Sequence, residues 1–382
     1  MLTKLVLLLC SIVVCYGLST CSTLSGALAT PSPVPTVEPS ATPTKFAIPT
    51  PTATPRSVIV YDIVILDESE QSGGLQMMSA DGRESEQRLP VQQLAGHPEW
   101  SHSGDKILYT VRESFGEERY SFWIVAAEGH AAPHQLTSTY PFDYALYGGK
   151  WSFDDRYIAF RTSDRETDTE SVVVVEADTE RTTTRPFSYG YAWSPTECKL
   201  AILSGAPGWG VYVLDLRTGS EQFFAFTSDV KTANPALSWA PDGRQVVFVS
   251  STADTRVDRI TVLDISTGQY QVFAPQQDLF SRSIWALSWS PDGKYILFQG
   301  HMHQAGELTP TAMYILNVST GVERKLVEEV ETGVWSPNGR EIAYLLSINV
   351  QNPNQIYKIN IETGEITQLT DDPHIKMSLS WK

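Results

Sequence analysis

Residues 287–298 read LSWSPDGKYILF, and the same pattern stands at 98–109 (PEWSHSGDKILY), 149–160 (GKWSFDDRYIAF), 191–202 (YAWSPTECKLAI), 237–248 (LSWAPDGRQVVF) and 333–344 (GVWSPNGREIAY). A seventh copy, LSWK, runs to Lys382. Its anchors are Trp100, Trp151, Trp193, Trp239, Trp289, Trp335 and Trp381, spaced by 42 to 51 residues. Seven residues after each of the first six stands an aliphatic: Ile107, Ile158, Leu200, Val246, Ile296 and Ile342. Between the two apolar runs, Pro presets φ, Asp or Asn bonds the backbone locally, and Gly accepts positive φ. Each copy therefore predicts a β-hairpin. Asp154, Asp242, Asp292 and Asn338 recur at this turn, which argues for a structural role, as do the serines at 101, 152, 194, 290 and 336.

A second hairpin follows each first one, as in GVYVLDLRTGSEQFFAF (210–226), RITVLDISTGQYQVFAP (259–275), AMYILNVSTGVERKLV (312–327) and QIYKINIETGEITQLT (355–370). Two hairpins in about 46 residues give four antiparallel strands, and no stretch past residue 56 has the period and length of a helix. Repeated units of this size make a β-propeller, in which each blade's two apolar faces are covered only by its neighbours. Residues 57–90 supply a strand and a second hairpin with no tryptophan strand before them, and MSLSWK supplies a tryptophan strand with nothing after it. The expected fold is all-β: a seven-bladed β-propeller of four-stranded antiparallel blades, closed by pairing of N- and C-terminal strands in one blade, which removes open sheet edges.

WSPDGKYILF, followed by a YILN-type strand and by Leu369 and Thr370 leading into the next tryptophan strand, resembles the repeat of the TolB-type, WD-repeat-like propeller family. The resemblance covers residues 57–382 and implies the fold. It implies little about function, because that family includes periplasmic and surface interaction modules, propellers attached to peptidases, and lipoproteins. A proline-rich stretch stands where TolB itself has an amino-terminal α/β domain, and seven blades exceed its six; both departures put in doubt any transfer of TolB's envelope role.

The amino-terminal residues read as targeting sequence. LVLLLCSIVVCYGL (5–18) is an apolar run that suits a signal-peptide core and is short for a span of roughly 20 residues. LSTC (18–21) resembles a lipobox: Leu18 and Ser19 fit, Thr20 departs, and Cys21 is the expected lipidation site. An ordinary secretory signal is the alternative. Residues 29–56 place eight prolines among Thr, Ser and Ala, a composition that favours solvated polyproline II. The expected organisation is a signal peptide at 1–20, a Pro/Thr-rich tether at 21–56 and the propeller at 57–382, in an exported chain on the outer face of the cytoplasmic membrane or at the cell surface.

Little in the sequence points to catalysis. The net charge is −16 with Lys and Arg scattered singly, so no basic stripe awaits nucleic acid. Gly-x-Ser-x-Gly, dinucleotide and phosphate-loop motifs are absent. Cys198 is the one thiol beyond residue 56, and no catalytic residue or cofactor is expected. His301 and His303 in HMH are the weak metal candidates, since on an extended chain both rings point the same way; a solvated loop is the competing reading.

Antiparallel order puts the short hairpin turns on one face and the long, varied connections on the other, where recognition usually sits. Those connections hold the non-repeated aromatics Tyr140, Phe142, Tyr144, Tyr147, Trp209, Phe280 and Trp285, the candidate binding face. The expected function is a non-enzymatic protein-binding or assembly module tethered to the envelope, in contact with the membrane through its lipid only. A glycan-binding or glycan-cleaving surface propeller, and an accessory propeller of a separately encoded peptidase, are the alternatives. The oligomeric state is left open.

Overall fold

The computed structural model describes residues 57–382 apart from 67–70, 94, 113–118, 130, 138–139, 142–147, 165–166, 168, 187, 206–207, 227–229, 232–233, 253–256, 274–280, 305–306, 309 and 347–352. The quoted stretch folds as its chemistry dictates. The buried Ser290 hydroxyl donates to Asp292 Oδ1 (2.7 Å) and accepts the Tyr295 N–H (2.9 Å). Asp292 Oδ1 also accepts the Lys294 N–H at 3.1 Å. The Gly293 N–H closes the turn on the Ser290 carbonyl at 2.9 Å, with φ at +71°. Burial pulls the Asp292 carboxyl upward, but hydrogen bonds from Ser290 and Lys294 hold it below the usual range. Ser336 with Asn338, and Ser152 with Asp154, repeat the serine contact, and Asp155 takes the glycine's place at φ +55°. Ser101, Ser152, Ser194, Ser290 and Ser336 are all buried, so the recurring serine is scaffold. Ser290→Ala is expected to leave the Tyr295 N–H without its acceptor and lower Tm by about 3 °C, measured by calorimetry.

Seven antiparallel sheets result, each built on four blade strands, with a short fifth strand in three of them: Tyr140–Pro141, Val230–Lys231 and Glu307–Leu308. Blade 1 comprises Ala95–Trp100, Lys106–Arg112, Arg119–Ala126 and His134–Gln135; blade 2, Lys150–Trp151, Tyr157–Asp164, Thr169–Glu176 and Thr182–Pro186. Blade 3 comprises Ser188–Trp193, Lys199–Ser204, Gly210–Asp215 and Glu221–Ala225; blade 4, Leu237–Trp239, Gln245–Thr252, Arg259–Asp264 and Tyr270–Phe273. Blade 5 comprises Ser281–Trp289, Tyr295–Gln304, Ala312–Asn317 and Glu323–Glu328; blade 6, Val330–Trp335, Glu341–Leu346, Gln355–Asn360 and Ile366–Gln368. Blade 7 joins Leu379–Trp381 to Val58–Leu66, Gln71–Ser79 and Ser85–Gln93. The tryptophan strands of successive blades lie against one another about the axis, while fourth strands such as Thr182–Pro186 and Ile366–Gln368 are largely exposed at the circumference.

Among the described residues the buried apolar side chains fall into seven clusters, each shared by two neighbouring blades. Trp289 and Ile296, for example, pack with Val247, Val249 and Ile260 of blade 4. Indoles add polar ties between blades: Trp193 Nε1 donates to the Lys150 carbonyl (2.8 Å) and Trp239 Nε1 to the Ala192 carbonyl (2.9 Å). A blade alone would expose both faces, so the core exists only in the ring.

The ends close the ring as expected. Ile59, Val60 and Tyr61 pair with Trp381, Ser380 and Leu379, and Val58 and Lys382 exchange backbone hydrogen bonds of 2.7 and 2.9 Å. Asp62, 2% exposed, extends the seam: its Oδ1 accepts the N–H groups of Met377 (3.1 Å) and Ser378 (2.7 Å).

Candidate functional site: the connection face

Strand direction sends the turns between first and second strands, and between third and fourth, to one end of the ring. The connections from second to third strand, and from one blade to the next, leave at the other end. The turn end is uniform: Asp215, Asp264, Asn317 and Asn360 each accept two backbone N–H groups in the second turn, so side-chain chemistry there is spent on the backbone. The connection end is varied, and its geometry comes from irregular first strands.

Several first strands carry a β-bulge near the connection end. The register shifts between Ser188 and Gly190, between Ile284 and Ala286, and between Val330 and Thr332. The extra residues are Tyr189, Trp285 and Glu331, each four before its blade's tryptophan. In blade 1 the shift falls between Gly96 and Glu99, and His97 takes φ +51°. A bulge interrupts the alternation of faces and re-aims its residue. Ser188, Ile284 and Val330 are accordingly buried, while Tyr189 and Trp285 are half-buried and Glu331 is exposed. Met377, at the same offset from Trp381, is 53% exposed.

Two aromatic pairs form on this face. Tyr189 stacks on Trp209 with ring centroids 5.2 Å apart, and Trp285 meets the His301 ring edge-on at 4.6 Å. Residues of the intervening blade join them. The Pro235 carbonyl lies so close to Gly190 that a Cβ there would come within 2.3 Å of it. Asn234 donates its amide to the Ile284 carbonyl, and the Ile284 N–H donates to Asp258 Oδ2 at 2.8 Å. The result is an arc across blades 3 to 5, held by contacts between blades.

A second polar group lies beside the seam. Lys376, 0% exposed, donates Nζ to Asp372 Oδ1 and to the His374 carbonyl, both at 2.9 Å. Burial lowers the Lys376 ammonium's pKa against the opposing pull of Asp372. Burial, with the Asp372 charge added, pushes the Tyr61 phenol up to about 12. Asp372 also accepts from the His374 backbone, so this ion pair secures the chain entering the last strand. Burial likewise raises the Cys198 thiol to about 11, far from a reactive thiolate at neutral pH. Between blades 5 and 6 a cleft of about 290 Å³ is lined by Leu297, Gln299, Val334 and Trp335, among others. Its buried amide, Gln299, lies within hydrogen-bonding reach of the Gly333 N–H and the Glu331 carbonyl.

The sequence-derived candidates divide. Trp209 lies in the arc, and Trp285 does too, but as a strand residue rather than the loop residue expected. Tyr140 pairs with Tyr120 in a short strand at the edge of blade 1. Phe142, Tyr144, Tyr147, Phe280 and Cys21 lie outside the described residues. His301 and His303 lie on the strand Tyr295–Gln304, not in a solvated loop, because the pairing of blade 5 continues to His303 opposite Ser281. Among the described residues no group of three or more His, Cys, Asp or Glu could hold a metal ion. Tyr189, Asn234 and Asp258 went unselected in the sequence; the offset of four from the tryptophan was the available signal for Tyr189.

No family model matches the chain, and a search of curated proteins finds no match. Solved structures do resemble it. TolB from Acinetobacter baumannii aligns with a TM-score of 0.51 and 17% identity over 85% of this chain and 82% of its own. The β-propeller domain of the Trilobed protease from Pyrococcus furiosus gives 0.60 and 13% over 83% and 93%. Pyrococcus horikoshii acylaminoacyl peptidase gives 0.57 and 14% over 82% of this chain but 51% of its own. At such identities the likeness speaks to architecture alone, and the architecture is a TolB-like β-propeller.

Proposed function

We propose that this protein is a non-enzymatic binding module, exported and held at the cell envelope through a lipid on Cys21, that presents its connection face to a protein partner. The observation that carries this reading is the contrast between the two ends of the ring. Turn-end polar groups are engaged in local backbone bonding, whereas non-repeated aromatics gather at the connection end. Ser57 sits at the turn end, with its hydroxyl accepting the Trp381 indole N–H at 2.6 Å.

The test is affinity capture from native membranes with the full chain. Trp209→Ala with Trp285→Ala is expected to lose the partner while Tm shifts by less than about 3 °C. Capture equal to wild type by that variant would sink the reading. Cys21→Ser is expected to move the protein from the membrane fraction to the soluble exported fraction; unchanged partitioning would remove the lipid anchor. A second reading, an accessory propeller of a separately encoded peptidase, draws support from the Pyrococcus horikoshii enzyme, of which this chain matches about half. Capture of a serine hydrolase reactive toward a fluorophosphonate would favour it.

A further inference from the structure

Along their first strands, neighbouring blades are tied by a recurring bond between the residue just before a tryptophan and the tryptophan of the next blade. The Lys150 and Ala192 carbonyls accept the indole N–H groups of Trp193 and Trp239. The Ser238 and Ser380 hydroxyls accept the backbone N–H groups of Trp289 (3.3 Å) and Trp100 (3.5 Å). Between blades 1 and 2 Glu99 pairs with Lys150 instead, and in blade 7 the Trp381 indole is satisfied by Ser57. Between blades 5 and 6 the corresponding residues are Ser288 and Trp335, and among the described residues neither bond joins them. Trp335 is 8% exposed, and its indole N–H is buried without a partner. The indoles of Trp100, Trp151 and Trp289 lack acceptors too, but their interfaces carry the other ties. Both ends of the missing tie, Ser288 and Trp335, line the cleft of about 290 Å³.

We infer that this cleft binds a small, neutral, largely apolar molecule carrying one hydrogen-bond acceptor. A buried indole N–H ordinarily has a partner, and leaving one unpaired is costly. An acceptor brought by the ligand supplies that partner, while Leu287, Leu297 and Val334 cover its apolar body. None of the lining residues is charged, so a carboxylate or ammonium would lose its hydration without gaining a counter-ion. Of the polar groups, the Gln299 amide faces Gly333 and Glu331, which leaves the Ser288 hydroxyl and the Trp335 N–H. A sugar would bring several hydroxyls to this pair and leave most of them unsatisfied. Size points the same way: an apolar cavity of roughly 150 Å³ accepts benzene, so this cleft suits a body of about two fused rings. The inference does not depend on the partner protein proposed above.

The experiment labels the ten tryptophans of the full chain with 5-fluorotryptophan and follows fluorine NMR during titration with 1-indanone, indane and indane-1-carboxylate. The three share a two-ring body and differ in acceptor and charge. 1-Indanone is expected to move the Trp335 resonance, identified by its loss in Trp335→Phe. It should bind about tenfold more tightly than indane, which cannot accept the N–H. Indane-1-carboxylate should leave the resonance unmoved. Ala286→Leu adds bulk to the blade 5 wall of the cleft and should weaken 1-indanone by about tenfold or more. In Trp335→Phe, 1-indanone should bind no better than indane. Should that variant fail to fold, the wild-type comparison of 1-indanone with indane reads the same hydrogen bond, and Ala286→Leu locates it. Equal binding of 1-indanone and indane, or binding unchanged in Ala286→Leu, would overturn the inference. So would preference for the carboxylate, or no response to any of the three, which would leave the cleft to solvent alone.

Discussion

A chain ending at Ser378 is expected to lose its cooperative thermal transition. The four missing residues, 379–382, form one edge of the seam. Leu379 and Ser380 are buried, Leu379 within the cluster shared by blades 6 and 7, and Trp381 packs against that cluster. Their removal strips Val58, Ile59, Val60 and Tyr61 of ladder partners. Two apolar side chains and several buried hydrogen bonds amount to about 6 kcal/mol. That is comparable with the whole stability of an ordinary domain, roughly 5–15 kcal/mol. Because every cluster is shared between neighbouring blades, the loss should spread beyond blade 7. Calorimetry and near-UV circular dichroism are the measurements; a cooperative melt within about 5 °C of the full chain would show that the ring is stable without its seam.

Substitutions at Asp62 should separate two of its effects. Asp62→Ala removes the acceptor of the Met377 and Ser378 N–H groups and should cost about 3 kcal/mol. Asp62→Asn keeps an acceptor and removes the charge. Burial raises the pKa of Asp62 above its usual range, opposed by His97 and by the two backbone donors. An acid whose pKa is raised on folding stabilises the fold while it is protonated. That contribution is lost as pH rises through the folded-state value. Wild type should therefore lose stability relative to Asp62→Asn from the unfolded carboxyl pKa, near 4, up through that raised value, and the difference should then level off. Urea unfolding as a function of pH measures it. A difference that instead shrinks with rising pH would mean that the backbone donors and His97 outweigh burial.

How much could be read in advance follows from the range of the interactions. Ser290, Asp292 and Gly293 bond to one another and to neighbours within five residues, and the chain repeats that arrangement, so register and blade count were legible. The closing blade was legible because an unmatched tryptophan strand at one end answers an unmatched set of three strands at the other. The site was less so. Trp209 stood out as a non-repeated aromatic, but Trp285 read as a loop residue because the bulge after Ile284 hides the continuation of the first strand. Tyr189 lies two residues before the repeat copy at 191–202 and falls in none of the quoted stretches. Asp258 and Asn234 also bond across blades, at Ile284. Asp62, in VIVYDIVIL, bonds to Met377, which is 315 residues away in sequence. No local pattern marks such pairs.

The seam also sets a timetable. Residues 58–93 supply three strands of blade 7, yet the strand that completes them, Leu379–Trp381, follows all six other blades in sequence. During synthesis the edge of Val58–Leu66 must wait, unpaired, until the six other blades and Leu379–Trp381 have followed. Closure of the ring thus comes after the other blades are made. Slow synthesis should prolong exposure of this one edge more than of any edge that pairs with its immediate successor.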